Sequence, residues 1–195
     1  MAQTDEKLIK EILKGNESAM EILVKRYYDL VHSFIYRNTS DYNIAYDITQ
    51  DVFIKMMKNI DKYKIESGNF KNWLLKISIN TTKDYFKSKA YNQRRTSYDI
   101  SDHEIEDKTN VVDILSKKEE AVKIKNAIEQ LPKLQREAVI LKYYNDLKIK
   151  EISSITGHNE NTIKSRLFNG VKSLKKLLGG ENYEQDTIKN KQHEM

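Results

Sequence analysis

The chain has 195 residues, 38% of them hydrophobic and 32% charged, with a formal net charge of +5, one proline, six glycines and no cysteine. That excludes a disulfide framework, a thiolate metal site and a cysteine nucleophile, and it suits a reducing cytoplasm. No apolar run approaches the ~20 residues of a membrane helix, the polar N-terminus is unlike a signal peptide, and so little punctuation argues for an all-α fold over sheets and turns.

The charge is uneven. Residues 1–95 hold 17 basic and 12 acidic groups, 96–121 hold 3 and 8, 122–178 hold 12 and 5, and 179–195 hold 2 and 4. Two basic blocks around an acidic one predict two polyanion-binding helical domains joined by a flexible acidic linker.

Leu8, Ile9, Ile12 and Leu13 predict a short amphipathic helix that stops near Gly15. Asn16 is a cap for the next helix, whose apolar stripe is Ala19, Ile22, Leu23, Tyr27, Leu30, Val31 and Phe34. Asp41 caps a third helix over about Asn43 to Ile60. Within it Ala45, Ile48 and Val52 face one way, and Asp47, Gln50 and Asp51 cluster on the other side. Such an acidic and amide patch suits docking on a basic surface.

Lys62 to Gly68 reads as a loop, and Asn69 as the cap of a helix reaching about Tyr91. Phe70, Trp73, Leu74, Ile77 and Thr81 have core spacing; Lys76, Asn80, Lys83 and Lys87 recur at four-, three- and four-residue steps on another face, suited to anions. Arg94 and Arg95 close this basic helix. Periodicity is lost over 92–118, which predicts the linker at 96–118.

A second helical unit begins at 119. Pro132 suits the first turn of a helix, and Leu134, Val139, Leu141 and Tyr143-Tyr144 give that helix its apolar mass. Ile149, Ile152 and Ile155 predict a short helix, Gly157 a tight turn with positive φ, and Ile163, Leu167, Val171 and Leu174 the inward face of a second helix. This is a helix-turn-helix pattern. Its outward face carries Asn161, Thr162, Lys164, Ser165, Arg166 and Asn169, groups able to read base edges and bind phosphates. Gly179-Gly180 ends the helix and the rest, 179–195, reads as a disordered tail. No repeat, phosphate-binding glycine loop, nucleophile turn or ligand set for a metal occurs, so neither an enzyme nor a cofactor is expected.

The run Asp47-Ile48-x-Gln50-Asp51-x-Phe53 resembles the polymerase-docking helix of bacterial sigma factors. Leu131-Pro132-x-x-x-Arg136, Glu151-Ile152-x-x-Ile155-x-Gly157 and Thr162-Ile163-Lys164-Ser165-Arg166-Leu167 resemble the promoter-reading region four of the extracytoplasmic-function group. Residues 16–95 resemble its region two. The resemblance implies an alternative sigma factor that binds core RNA polymerase through Asp47, Gln50 and Asp51. It implies contact with the minus-ten element, mainly as separated single strand, through Lys76, Asn80, Lys83 and Lys87 and the loop before them. It implies contact with the minus-thirty-five element through Arg136, Asn161, Thr162, Lys164, Ser165, Arg166 and Asn169, with an anti-sigma factor as a further partner. The domains would be 1–95 (region two), 96–118 (linker) and 119–178 (region four). Lys148-Ile149 where the family often has Ser-Tyr, Asn159 where proline or serine is frequent, and Phe168-Asn169-Gly170 in place of a more basic stretch leave the DNA sequence open. These departures are compatible with a divergent clostridial-type branch. The alternative reading is a stand-alone helix-turn-helix regulator.

Overall fold

The computed structural model describes residues 3–64, 69–88 and 111–179, with side chains from 119 onward in the last segment. The expectations for the loop tip at 65–68, for Arg94 and Arg95, for the linker up to residue 110 and for the tail from 180 lie outside these residues. All regular structure among the described residues is helical: α1 (Asp5–Ile12), α2 (Glu17–Thr39), α3 (Tyr42–Asn59), a 3₁₀ turn (Ile60–Lys62), α4 (Phe70–Lys87), α5 (Val111–Glu129), α6 (Lys133–Val139), a π-helical turn (Ile140–Tyr144), α7 (Ile149–Thr156) and α8 (Glu160–Leu177).

The caps are the expected ones. Asn16 Oδ1 accepts the Ala19 N–H at 3.2 Å, Asp41 Oδ1 that of Ile44 at 2.9 Å, and Asn69 Oδ1 that of Lys71 at 2.9 Å. Each satisfies a donor that a helix start leaves unpaired. A carboxylate ties α1 to α2: Asp5 receives Arg26 Nη1 and the Tyr27 hydroxyl, both at 2.5 Å. Burial, and then this bond to Asp5, push the Tyr27 phenol well above the usual tyrosine range.

Four expectations need correction. Helix α4, expected to reach about Tyr91, ends at Lys87, where Ser88 turns to extended backbone. Helix α5 starts at Val111, inside the segment read as linker. The acidic run ends at Asp107, ahead of this helix, whose first residues include Val111, Val112, Ile114 and Leu115. Pro132 occupies the cap position before α6, not its first turn. And Ile22, Leu134, Tyr143 and Tyr144, counted among the apolar faces, are exposed at 46%, 44%, 63% and 44%.

One core runs through both helical units. Leu23, Val31, Phe34, Ile35, Ile48, Val52, Met56, Leu74, Leu75 and Ile79 fill the first. Ile128, Leu131, Val139, Ile140, Leu141, Ile152 and Ile163 fill the second and join the same cluster. Trp73 lies partly buried against it, with ring centroids 5.3 Å from Tyr63 and 5.5 Å from Phe70. The units meet where α4 packs on α7 and where α2 meets α5, α6 and the π-helical turn.

Candidate nucleic-acid and polymerase interface

Ala45, Ile48 and Val52 are fully buried, and this inward face fixes which side of α3 meets solvent. Asp47, Gln50 and Asp51 lie there, all exposed, and the same surface carries Tyr46, Ile54 and Met57, each 43–44% exposed. The structure therefore brings the three predicted docking residues together, and adds an apolar rim that residue-by-residue reading passed over. The signal was present, since 46, 50, 54 and 57 follow helical spacing.

Helix α4 is buried over a wide arc. Phe70, Leu74, Leu75, Ser78, Ile79, Thr81 and Thr82 all face inward, more than the predicted stripe. Ser78 and Thr82 satisfy their hydroxyls by donating to the carbonyls of Leu74 and Ser78, at 2.9 and 2.8 Å. What remains outward is a narrow strip. Lys76, Asn80 and Lys87 are exposed on it. Lys83 differs: its side chain is only 29% exposed, and its ammonium stands 3.8 Å from the buried Glu137 carboxylate of α6.

That ion pair belongs to a set of contacts between the units. Lys71 Nζ donates to the Asn145 carbonyl at 2.6 Å, and Asn72 Nδ2 to Glu151 Oε1 at 2.8 Å. The Arg37 guanidinium lies over the Tyr144 ring at 4.3 Å and Lys133 over Phe86 at 4.3 Å, in cation–π geometry. Between α2 and α5 a cavity of about 390 Å³ is lined by His32, Tyr36, Tyr42, Lys125 and Tyr144 among others.

The helix-turn-helix forms as expected. Gly157 ends α7 at φ +73°, and Ser153 Oγ donates across the turn to the His158 carbonyl at 2.6 Å. Asn159 caps α8 by accepting the Thr162 N–H at 2.8 Å. Asn161, Lys164, Ser165 and Asn169 are exposed on α8, while Thr162 and Arg166 are half-buried. Ile163 and Leu167 pack inward, and Gly170 lets α8 approach α6 so closely that a Cβ there would stand 2.9 Å from Val139 Cγ2.

Arg136 is set apart from these groups. Its guanidinium donates to the carbonyls of Glu129, Leu131 (3.3 Å) and, from the other unit, Asn38 (3.2 Å). Burial draws its pKa below the usual arginine value. In this conformation it ties backbone together instead of joining the outward face of α8. Among the described residues no group of histidine, aspartate and glutamate side chains could hold a metal ion, and no helix is long and apolar enough to cross a membrane.

Two family models match the chain: Sigma-70 region 2 over residues 23–91 and Sigma-70 region 4 over residues 121–174. The ECF RNA polymerase sigma factor SigW of Bacillus subtilis is 30% identical over 179 residues, covering 88% of this chain and 95% of SigW. The RNA polymerase sigma-H factor of Pseudomonas aeruginosa is 25% identical, covering 90% and 94%. The ECF sigma factor BldN of Streptomyces coelicolor is 26% identical over 88% of this chain, which spans 64% of BldN. Among solved structures, the sigma factor RpoE bound to the anti-sigma factor NepR from Bartonella quintana shares the fold at a TM-score of 0.63, with 22% identity over 83% of this chain and 98% of that one. CnrH in complex with the cytosolic domain of CnrY does so at 0.65, with 18% identity over 91% and 99%.

Proposed function

Since the chain belongs to the extracytoplasmic-function group of the sigma-70 family, and is thus an alternative sigma factor and not a stand-alone regulator, we propose an assignment of its surfaces. The exposed face of α3, with Asp47, Gln50 and Asp51, docks on a basic surface of core RNA polymerase. The strip Lys76, Asn80 and Lys87 of α4 meets the minus-ten element, while Lys83 stays in the contact with Glu137 of α6. The outward face of α8, with Asn161, Thr162, Lys164, Ser165, Arg166 and Asn169, reads the minus-thirty-five element in the major groove. Residues 1–95 and the unit that begins with α5 at Val111 and runs to residue 178 act as the two DNA-reading domains. Arg136 contributes by holding the start of α6 and so setting the pose of the helix-turn-helix.

The observation that carries this reading is the division of α3. One side is wholly in the core and the other gathers three carboxylate and amide groups in solvent. A helix so divided is held rigidly while its polar face stays available to a partner. The cationic strip of α4 and the polar face of α8 supply phosphate and base-edge contacts. The chain brings binding surfaces and the polymerase brings the chemistry of RNA synthesis, in the cytoplasm. An anti-sigma protein is the proposed antagonist, by analogy with the Bartonella complex.

Reconstituted transcription with purified core polymerase is the test. Promoter-specific transcripts that require the chain and disappear with Asp51→Lys are the expected result. Promoter binding by the chain alone, with no effect on core polymerase, would overturn the assignment of α3.

A further inference from the structure

The cavity between α2 and α5, about 390 Å³, falls within the ~300–1,000 Å³ of small-molecule sites. It takes its walls from both units: His32 and Tyr36 of α2 and Tyr42 of α3 on one side, Ile128 of α5 and Tyr144 of the π-helical turn on the other. None of these residues belongs to the surfaces assigned above to polymerase or promoter.

The walls are largely aromatic. His32 lies between Tyr28 and Tyr36 with the rings nearly parallel, at centroid distances of 5.9 and 6.4 Å, because the three follow one another at single helical turns. The Tyr42 ring meets His32 edge-on at 5.3 Å. Tyr42 and Tyr144 remain 46% and 44% exposed, so ring surface is left over for another flat partner. Aromatic pairs gain from offset and edge-to-face contact beyond the area they bury.

Two cations stand at the same walls. The Arg37 guanidinium lies 4.3 Å from the centre of the Tyr144 ring, and Lys125 Nζ 5.3 Å from that of Tyr36. A cation held over a ring face keeps N–H groups that can donate to an anion. Among the described residues no carboxylate forms an ion pair with Arg37. Glu129 is the one acidic residue on the described walls, and its charge also acts on Arg136. The electrostatic balance is therefore positive. An uncharged hydrocarbon would strip water from the two cations without pairing them, and a cation would meet like charge.

We propose that this cavity binds a small planar aromatic anion, its ring lying among Tyr36, Tyr42 and Tyr144 and its carboxylate or phosphate group pairing with Arg37 and Lys125. Because both units supply the walls, a bound ligand adds its binding free energy to the arrangement in which they are closed on each other. The same arrangement engages Lys71, Asn72 and Lys83 of α4 with the second unit. The seam between the units is then a small-molecule sensor, and it does not depend on the assignments of α3 and α8.

Titration calorimetry on the full chain tests the site, with cinnamate, its uncharged analogue cinnamamide and adenosine monophosphate as probes. The expected result is saturable one-to-one binding of an anionic probe, about tenfold tighter than cinnamamide, the worth of one hydrogen bond to a charged group. Tighter binding of cinnamate identifies aromatic carboxylates as the source and tighter binding of the nucleotide identifies nucleotides; either supports the site. Arg37→Gln should weaken the anion about tenfold and leave cinnamamide unchanged, and Tyr144→Leu should weaken all three probes. Circular dichroism checks the fold of each variant, and Lys125→Gln, at an exposed position of α5, is the second charge variant should Arg37→Gln lose helicity. Labels on the two units should show a distance distribution that narrows when the anion binds. Absence of saturable binding, equal affinity for cinnamate and cinnamamide with no binding of the nucleotide, or anion binding untouched by both charge variants would overturn the proposal. Binding with unaltered distances would overturn the coupling of the site to closure.

Discussion

The Asn72 side-chain amide on α4 donates to Glu151 on α7 at 2.8 Å, joining two residues that are 79 positions apart in the chain. The other carboxylate oxygen accepts the Lys148 N–H at 2.8 Å, so the helix start and the contact between units share one group. The Lys148 bond, then the Asn72 bond, hold the Glu151 carboxyl below its ordinary value of 4.5. A carboxylate with a lowered pKa lends stability that is complete above the ordinary glutamate value and is lost as pH falls through the lowered one. The contact between α4 and α7 should therefore loosen under acid. Distance measurements between labels on the two units should show opening at lower pH, with Glu151→Gln already partly open at neutral pH. An unchanged distance distribution in that variant would count against it.

Asp51→Lys should weaken core polymerase binding by about tenfold or more, since interfacial charge pairs are worth roughly 1.5 kcal/mol upward. Circular dichroism should be unaltered because the side chain is exposed. Direct titration of core polymerase checks it.

Replacing Lys76 and Lys87 by glutamine should flatten the salt dependence of promoter binding. Two phosphate contacts account for a change in slope of about 1.4 to 1.8. Both ammonium groups are exposed, so the fold should tolerate the change. An identical slope in the double variant would show that these lysines do not touch phosphates.

Arg136→Ala should behave differently from Arg166→Ala. The first leaves carbonyls of Glu129, Leu131 and Asn38 without their donor, and hydrogen bonds from a charged group are worth about 1.5–3 kcal/mol each at most. A loss of roughly 2 kcal/mol in urea unfolding is expected. Arg166→Ala should leave stability nearly intact and lower promoter affinity about tenfold, within the roughly 1–3 kcal/mol of a good base contact. A panel of upstream-element variants, read beside the unfolding curves, separates the two roles.

Much of this was legible because it is local. Asn16, Asp41, Asn69 and Asn159 bond to N–H groups two or three residues away, and Gly157 adopts its positive φ within its own turn. The buried side of α3 follows from periodicity alone. What escaped is long-range or depends on neighbours. Nothing near Lys83 or Lys71 announces Glu137 or the Asn145 carbonyl, and Arg136 looks like a surface cation until Asn38 is placed beside it. The wide buried arc of α4 comes from being enclosed by α2, α3 and α7 together, which no single stripe encodes. The exposure of Ile22 and Leu134 shows the reverse, apolar residues at good spacing that none of the described elements covers.

Gly170 has a mechanical consequence. A β-carbon there would have to move Val139 or push α8 outward by about 0.5 Å to regain ordinary contact, and Val139 is itself buried and β-branched. Asn161 lies nine residues away, a lever arm of about 13 Å. A small tilt about Gly170 thus swings the leading end of the helix by a distance comparable to the ~0.5 Å tolerance of a preorganised binding group. Gly170→Ala would then alter promoter reading with every outward side chain intact, by aiming the helix wrongly.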